Sequence, residues 1–334
     1  MILPIFIPHA GCPHQCVFCN QKKISGEKSA TVTNAQRQIE RWLTWLKPSR
    51  TNEAAFYGGS FTGLDHQLQE SLLELTDDLL ERGVIGACRC STRPDYINDD
   101  ALRILRMHSV STVELGVQSL DDAVLLAAER GHTAQAVYDA MSLLKAQGFT
   151  TGIQLMVGMP LQNFASIKDT VEQVVTMKPD IARIYPLLVV KDTPLAKSYA
   201  EGKFTPLSLD EAVEQASYVF DKLTQAGIKV IRIGLQPDEE LCTPGNILAG
   251  PFHPSMGELV KSRSLCNKIT PQIQNLYNEN VREISITCPN KLHSKLVGLK
   301  KCNLDYWHIL FPDLKINIVD SNLNLNDVGV NQCI

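Results

Sequence analysis

Apolar residues along this chain fall into two alternating rhythms. Short, nearly continuous runs at residues 3–8, 54–57, 84–90, 112–117, 151–157 and 181–187 read as buried strands. Between them, apolar residues recur at three- and four-residue spacing. Leu72, Leu73, Leu75, Leu79 and Leu80 define one helix, closed by Gly83 in the C′ position, and Gln147-Gly148 closes another over 133–146. Strand and amphipathic helix in alternation is the pattern of an α/β protein with a parallel sheet. Six such units fall short of the eight of a complete (β/α)8 barrel. A seventh helix and strand follow at 209–226 and 229–233.

Beyond residue 233 the rhythm changes. A Gly/Pro-rich stretch leads into helices, and apolar runs at 282–288, 307–310 and 315–319 read as strands of a small C-terminal α+β extension. The expected division is a core over 1–233 and an extension over 234–334 that caps the substrate, with neither internal repeat nor low-complexity linker.

A chain of 334 residues, 44% hydrophobic and 20% charged, suffices for one large core and an appendage. The N-terminus lacks a basic region and no apolar run approaches a membrane span, so a soluble, cytoplasmic protein is expected, without membrane partners. A net charge of -4 speaks against a broad nucleic-acid footprint. Lys291, Lys295, Lys300 and Lys301 form a local acid-free run, either a solvated helix face or a phosphate-binding patch for RNA.

The chemistry concentrates in the loop after the first apolar run, where Cys12, Cys16 and Cys19 stand at C-x3-C-x2-C spacing. Thiolates select zinc or iron–sulfur clusters. A cluster held by three cysteines keeps one iron open to a ligand that is not protein. A structural zinc knot with His9 or His14 as fourth ligand is the alternative. The other seven of the ten cysteines are scattered, which fits reduced thiols; Cys88 and Cys90 alternate as strand packing residues.

The cysteine spacing, with Phe18 before the last cysteine, resembles the radical S-adenosylmethionine (SAM) superfamily. The resemblance implies a partial (β/α)6 TIM-like barrel and a [4Fe–4S] cluster on Cys12, Cys16 and Cys19. It also implies SAM chelated by the open iron, an external one-electron reductant, and cleavage of SAM to a 5′-deoxyadenosyl radical that abstracts hydrogen from a substrate. Specific segments resemble the radical core of the Elongator catalytic subunit and short bacterial proteins of that kind. They are Gly-Gly-Ser-Phe-Thr at 58–62, Glu-Leu-Gly-Val-Gln-Ser at 114–119, Arg-Gly-His at 130–132, Arg183-Ile-Tyr185-Pro186, Thr193-Pro-Leu195, and the Pro206-Leu-Ser-Leu-Asp-Glu-Ala segment.

In such barrels the chemistry lies at the carboxyl ends of the strands. Gly58, Gly59 and Ser60 are expected at the SAM amino group, Glu114 and Gln118 at the ribose, Arg130 at the methionine carboxylate, and Arg93 at the SAM carboxylate or a substrate anion. Arg130-Gly-His also reads as a helix end with a favourable cation. Gln154 joins them from the fifth strand. Tyr185 is either a hydrogen-atom donor or substrate-orienting group, or a buried aromatic; His253 is either a substrate-pocket group or part of a helix start. The expected substrate is a small or nucleotide-linked molecule. The expected absence of an acetyltransferase domain leaves acetyl transfer and tRNA outside what the resemblance implies. Coproporphyrinogen-dehydrogenase-like chemistry, and a non-catalytic cluster- or haem-binding protein, are the alternatives; Asn20 after Cys19 departs from the fourth nearby cysteine of the former.

Overall fold

The computed structural model describes residues 1–321 and 328–333. It divides into two compact units, one of Met1–Ala212 with Lys222–Pro254, the other of Val213–Asp221 with Ser255–Ile334.

The first unit is built on β1 (Ile2–Phe6), β2 (Glu53–Tyr57), β3 (Ala87–Thr92), β4 (Val110–Gln118), β5 (Thr150–Val157), β6 (Ile181–Pro186), the two-residue β7 (Val189–Val190) and β8 (Lys229–Ile233). Seven of these form one sheet in the order β1-β2-β3-β4-β5-β6-β8, and every pairing is parallel. The sheet stays open, since β1 and β8 are edges. Residues from β1 through β8 nevertheless line one cavity, so it curls into a half-barrel. The helices between strands are amphipathic: His66–Glu81 buries Leu72, Leu73 and Leu79, and Gly83 follows its end at φ +67. The seventh strand is present as the sequence suggested. Residues 234–254 pack with this unit and contribute β9 (Ile247–Ala249), antiparallel to β7.

Three register shifts matter, because an extra residue in one strand turns the residues after it to the other face. Pairing with β5 shifts between Leu115 and Gln118, where Gln118 adopts φ +67. Pairing of β6 with β8 shifts between Ala182 and Arg183, and that of β3 with β4 between Cys88 and Arg89.

The second unit packs the helix Met256–Asn278 and the three-stranded sheet of β10 (Glu283–Pro289), β11 (Lys315–Ser321) and β12 (Gly329–Gln332) around Ile269, Ile273, Ile284, Ile286, Trp307 and Phe311. Residues 307–310, expected as a strand, lie instead in the helix Cys302–Leu310. Trp307 and Phe311, one helical turn apart, are both buried, and Trp307 Nε1 donates to Thr270 Oγ1 at 2.8 Å. A four-residue segment such as Trp-His-Ile-Leu is too short to carry a periodicity that distinguishes the two states. In this unit Lys295 Nζ stands 3.3 Å from Glu258, while Lys291, Lys300 and Lys301 are exposed; the basic run is acid-free in sequence but not in space.

Candidate active site

After β1 the chain turns sharply, with His9 at φ +58 and Gly11 at φ +69. The His9 amide donates to Gly58 O at 2.9 Å and the Ser60 amide to Ala10 O at 2.8 Å, lacing this loop to the turn after β2. The approach is close: a Cβ on Gly11 would lie 2.1 Å from Ser60 O, and one on Gly59 would lie 2.4 Å from Ala10 O. Glycine at these positions therefore serves contact between two backbones. The far end of the loop is pinned from both sides. The Val17 amide donates to Ala128 O at 3.2 Å, and the Leu195 amide to Val17 O at 2.8 Å. Val17 is buried among Val124, Ala128, Met159 and Leu195, with Phe18 packed against them. Cys16 and Cys19 thus flank an apolar anchor, and Asn20 caps the short helix Gln21–Ser25 through Lys23 N.

The three cysteines and Phe18 open on a cavity of about 730 Å³, as do Gly58, Gly59, Arg93, Gln118, Arg130, Gln154 and Tyr185. Arg130 is buried; its Nη1 donates to Cys16 Sγ at 3.0 Å and its Nη2 to Gly116 O at 2.5 Å. Arg93 forks onto Asp95 through Nε at 3.0 Å and Nη2 at 2.8 Å. Gln154 donates to Ser91 Oγ at 3.2 Å.

Three expected residues are placed elsewhere. The Ser60 hydroxyl is wholly buried, 3.0 Å from Thr92 Oγ1, where it accepts from the Arg93 amide. Glu114 is 1% exposed, behind the cavity wall, and its carboxylate is already engaged. Arg183 Nε donates to Oε2 and Arg183 Nη2 to Oε1 at 3.0 Å, with Arg89 Nη1 at 3.3 Å and the Tyr57 hydroxyl at 3.4 Å. Little of it remains to meet a ribose. His253 follows Gly250-Pro-Phe and does not line the cavity.

Sequence reasoning passed over the partners in this network. Tyr57 precedes the glycine pair, and Arg183 stands beside Tyr185 in a segment notable in sequence only for its resemblance; their alternation with core residues at strand ends was the available signal. Arg232, at the end of β8, also lines the cavity.

The donor set, three thiols of one loop, fits an iron–sulfur cluster with one open iron. His9 Nε2 accepts from the Gln21 amide at 3.0 Å, and the His14 ring packs against Gly131, where a Cβ would lie 2.2 Å from it. Among the described residues, no group of three or more Cys, His, Asp or Glu side chains, the loop cysteines included, is gathered as a single ion would require. Burial, then the neighbouring Cys16, pushes the Cys12 thiol up, and the same causes push Cys19 to about 12. Both therefore call for a compensating cation if they are to ionise.

Comparison with known proteins agrees with this geometry. Residues 6–174 match the family model of the radical SAM superfamily, and residues 179–265 match that of the radical SAM C-terminal domain. The tRNA uridine(34) acetyltransferase of Methanocaldococcus infernus is 26% identical over 258 residues, which are 65% of this chain and 48% of that protein. The heme chaperone HemW of Lactococcus lactis is 26% identical over 218 residues, 65% of this chain and 57% of that one. The chain thus spans about half the length of these relatives. An N-terminally truncated Elp3 from Methanocaldococcus infernus superposes with a TM-score of 0.63 at 23% identity, covering 81% of this chain and 63% of that one, and shows the same half-barrel fold.

Proposed function

The chain belongs to the radical SAM superfamily of enzymes, and from that premise we propose that Cys12, Cys16 and Cys19 hold a [4Fe–4S] cluster beside SAM and that the substrate is nucleotide-linked. One observation carries the reading: three thiols of a single loop open on the same cavity as Gly58, Gln118 and Arg130. With Cys12, Cys16 and Cys19 as its ligands, and with an external one-electron reductant, a cluster held there would supply the reductive cleavage of SAM that hydrogen abstraction from the substrate requires.

The chain's own residues prepare that chemistry. Val17 and Phe18 anchor the loop's apolar side against Val124, Ala128 and Leu195. Arg130 brings a positive charge to Cys16, and the bulge at the end of β4 places the Gln118 amide at the cavity wall. The half-length match to tRNA uridine(34) acetyltransferases supports a nucleotide-linked substrate, and we do not carry acetyl transfer over with it. No helix among the described residues is long and apolar enough to cross a membrane.

The test is anaerobic reconstitution with iron and sulfide, followed by SAM and a one-electron reductant. The expected result is brown protein with about four irons per chain that releases 5′-deoxyadenosine, and a Cys16→Ser variant that does neither. One tightly bound zinc would overturn the reading. The match to a heme chaperone favours a second reading, which haem binding without any SAM cleavage would support.

A further inference from the structure

Around the cavity, Arg93, Arg130 and Arg183 each place terminal guanidinium nitrogens on a protein acceptor among the described residues. Arg93 forks onto Asp95, Arg183 is held by Glu114, and Arg130 meets Cys16 and Gly116 O. Arg232 differs. Its Nε donates to Gly234 O at 3.0 Å, which fixes the plane of the group. Its two terminal nitrogens have no hydrogen-bond partner among the described residues. Asp238, the carboxylate on the same wall, is used as a cap, its Oδ1 accepting from Leu241 N at 2.7 Å.

The backbone is arranged to present this side chain. Along β6 and β8, Ala182 pairs with Val230, but Arg183 pairs with Arg232, so Ile231 is the extra residue of a bulge. In an unbroken register Arg232 would oppose Ile184, which is fully buried. The bulge moves it onto the face of Arg183 and Tyr185, both of which line the cavity. Arg232 is half-buried in the cavity wall, which leaves its terminal nitrogens accessible, and its planar fork matches a two-oxygen anion.

We infer that Arg232, with Tyr185 and Gln236 beside it in the wall, forms a subsite for an oxyanion on the substrate, a phosphate or a carboxylate, at the β6–β8 end of the cavity. The inference rests on the cavity being the substrate site. It is read by equilibrium binding without SAM or reductant, so its failure is distinct from failure of SAM cleavage.

The experiment is calorimetric titration of the 334-residue protein, as isolated and after reconstitution, at low salt. Probes are adenosine 5′-monophosphate against adenosine for phosphate, and succinate for carboxylate. Variants are Arg232→Gln and Arg232→Lys, checked for wild-type melting temperature. Wild type should prefer the monophosphate over adenosine or bind succinate. Arg232→Gln should weaken that binding by roughly tenfold to a hundredfold, with Arg232→Lys in between. A loss confined to the monophosphate identifies phosphate; one confined to succinate identifies carboxylate. Equal binding by wild type and Arg232→Gln, or no binding of any anion to wild type, overturns the subsite.

Discussion

Arg130 and Cys16 lie 114 positions apart, yet Arg130 Nη1 donates directly to Cys16 Sγ at 3.0 Å. The same guanidinium holds Gly116 O, so it ties the end of β4 to the cysteine loop. Expected from sequence as a partner for the methionine carboxylate, Arg130 places its terminal nitrogens on the protein, one of them on a cysteine proposed to hold the cluster.

Replacing Arg130 with Met should therefore act on the cluster. Hydrogen bonds and positive charge at a cluster sulfur favour its reduced form, so the midpoint potential should fall, with Arg130→Lys intermediate. Stability should drop by about 1–3 kcal/mol as Gly116 O loses its donor. A redox titration followed by electron paramagnetic resonance reads the first, urea unfolding the second. An unchanged potential with lost stability would leave Arg130 a purely structural brace.

Two glycines separate strain from crowding. Gly83 and Gly11 sit at φ +67 and +69, but a Cβ on Gly83 meets nothing within 4 Å, whereas one on Gly11 would strike Ser60 O at 2.1 Å. Gly83→Ala should cost about 1–2 kcal/mol from backbone strain alone, with full iron content after reconstitution. Gly11→Ala adds overpacking of about 1–3 kcal/mol and should lose iron, because the shifted backbone carries Cys12. Equal iron content in the two variants would detach the lacing of residues 9–11 from cluster assembly.

The legible parts of this protein are those set by local rules. Alternating runs and glycine stops located the seven parallel strands, because the core face of each is written within a few residues. The three cysteines were readable because their spacing lies within one loop. The environment of Glu114 was not legible for the opposite reason: a carboxylate at a strand end looks free in sequence, and its pairing depends on Arg183 and Arg89 arriving from two other strands. Arg232 was invisible because a one-residue bulge decides which face it occupies, and no local pattern marks that bulge.

The Glu114 network makes a non-additive prediction. Glu114→Gln leaves the Arg183 and Arg89 guanidiniums partly unpaired beside a buried amide and should cost about 3–5 kcal/mol in urea unfolding. Glu114→Leu combined with Arg183→Met removes both charges of the closest pair and should cost less than the two single changes added together. Strict additivity in this double-mutant cycle would show that the pair does not act as one unit.

His132 supplies an acid-sensitive element. It is 7% exposed, its Nδ1 lies 3.2 Å from Thr133 O, and its Nε2 is buried without a partner. Burial, then the nearby Arg130, lowers its pKa from 6.5 to about 4. Above pH 6.5 the ring is neutral in folded and unfolded chains alike, and its contribution is fully present. As pH falls from 6.5 toward 4, the unfolded chain takes up a proton that the folded one refuses, so stability is lost, at a limiting slope of about 1.4 kcal/mol per pH unit. His132→Asn carries no titrating group; whatever constant cost it imposes, its urea midpoint should fall less between pH 7 and pH 5 than that of wild type. Parallel midpoint curves for the two proteins would mean that His132 is charged in the folded state as readily as in the unfolded one, and would remove it as a source of acid sensitivity.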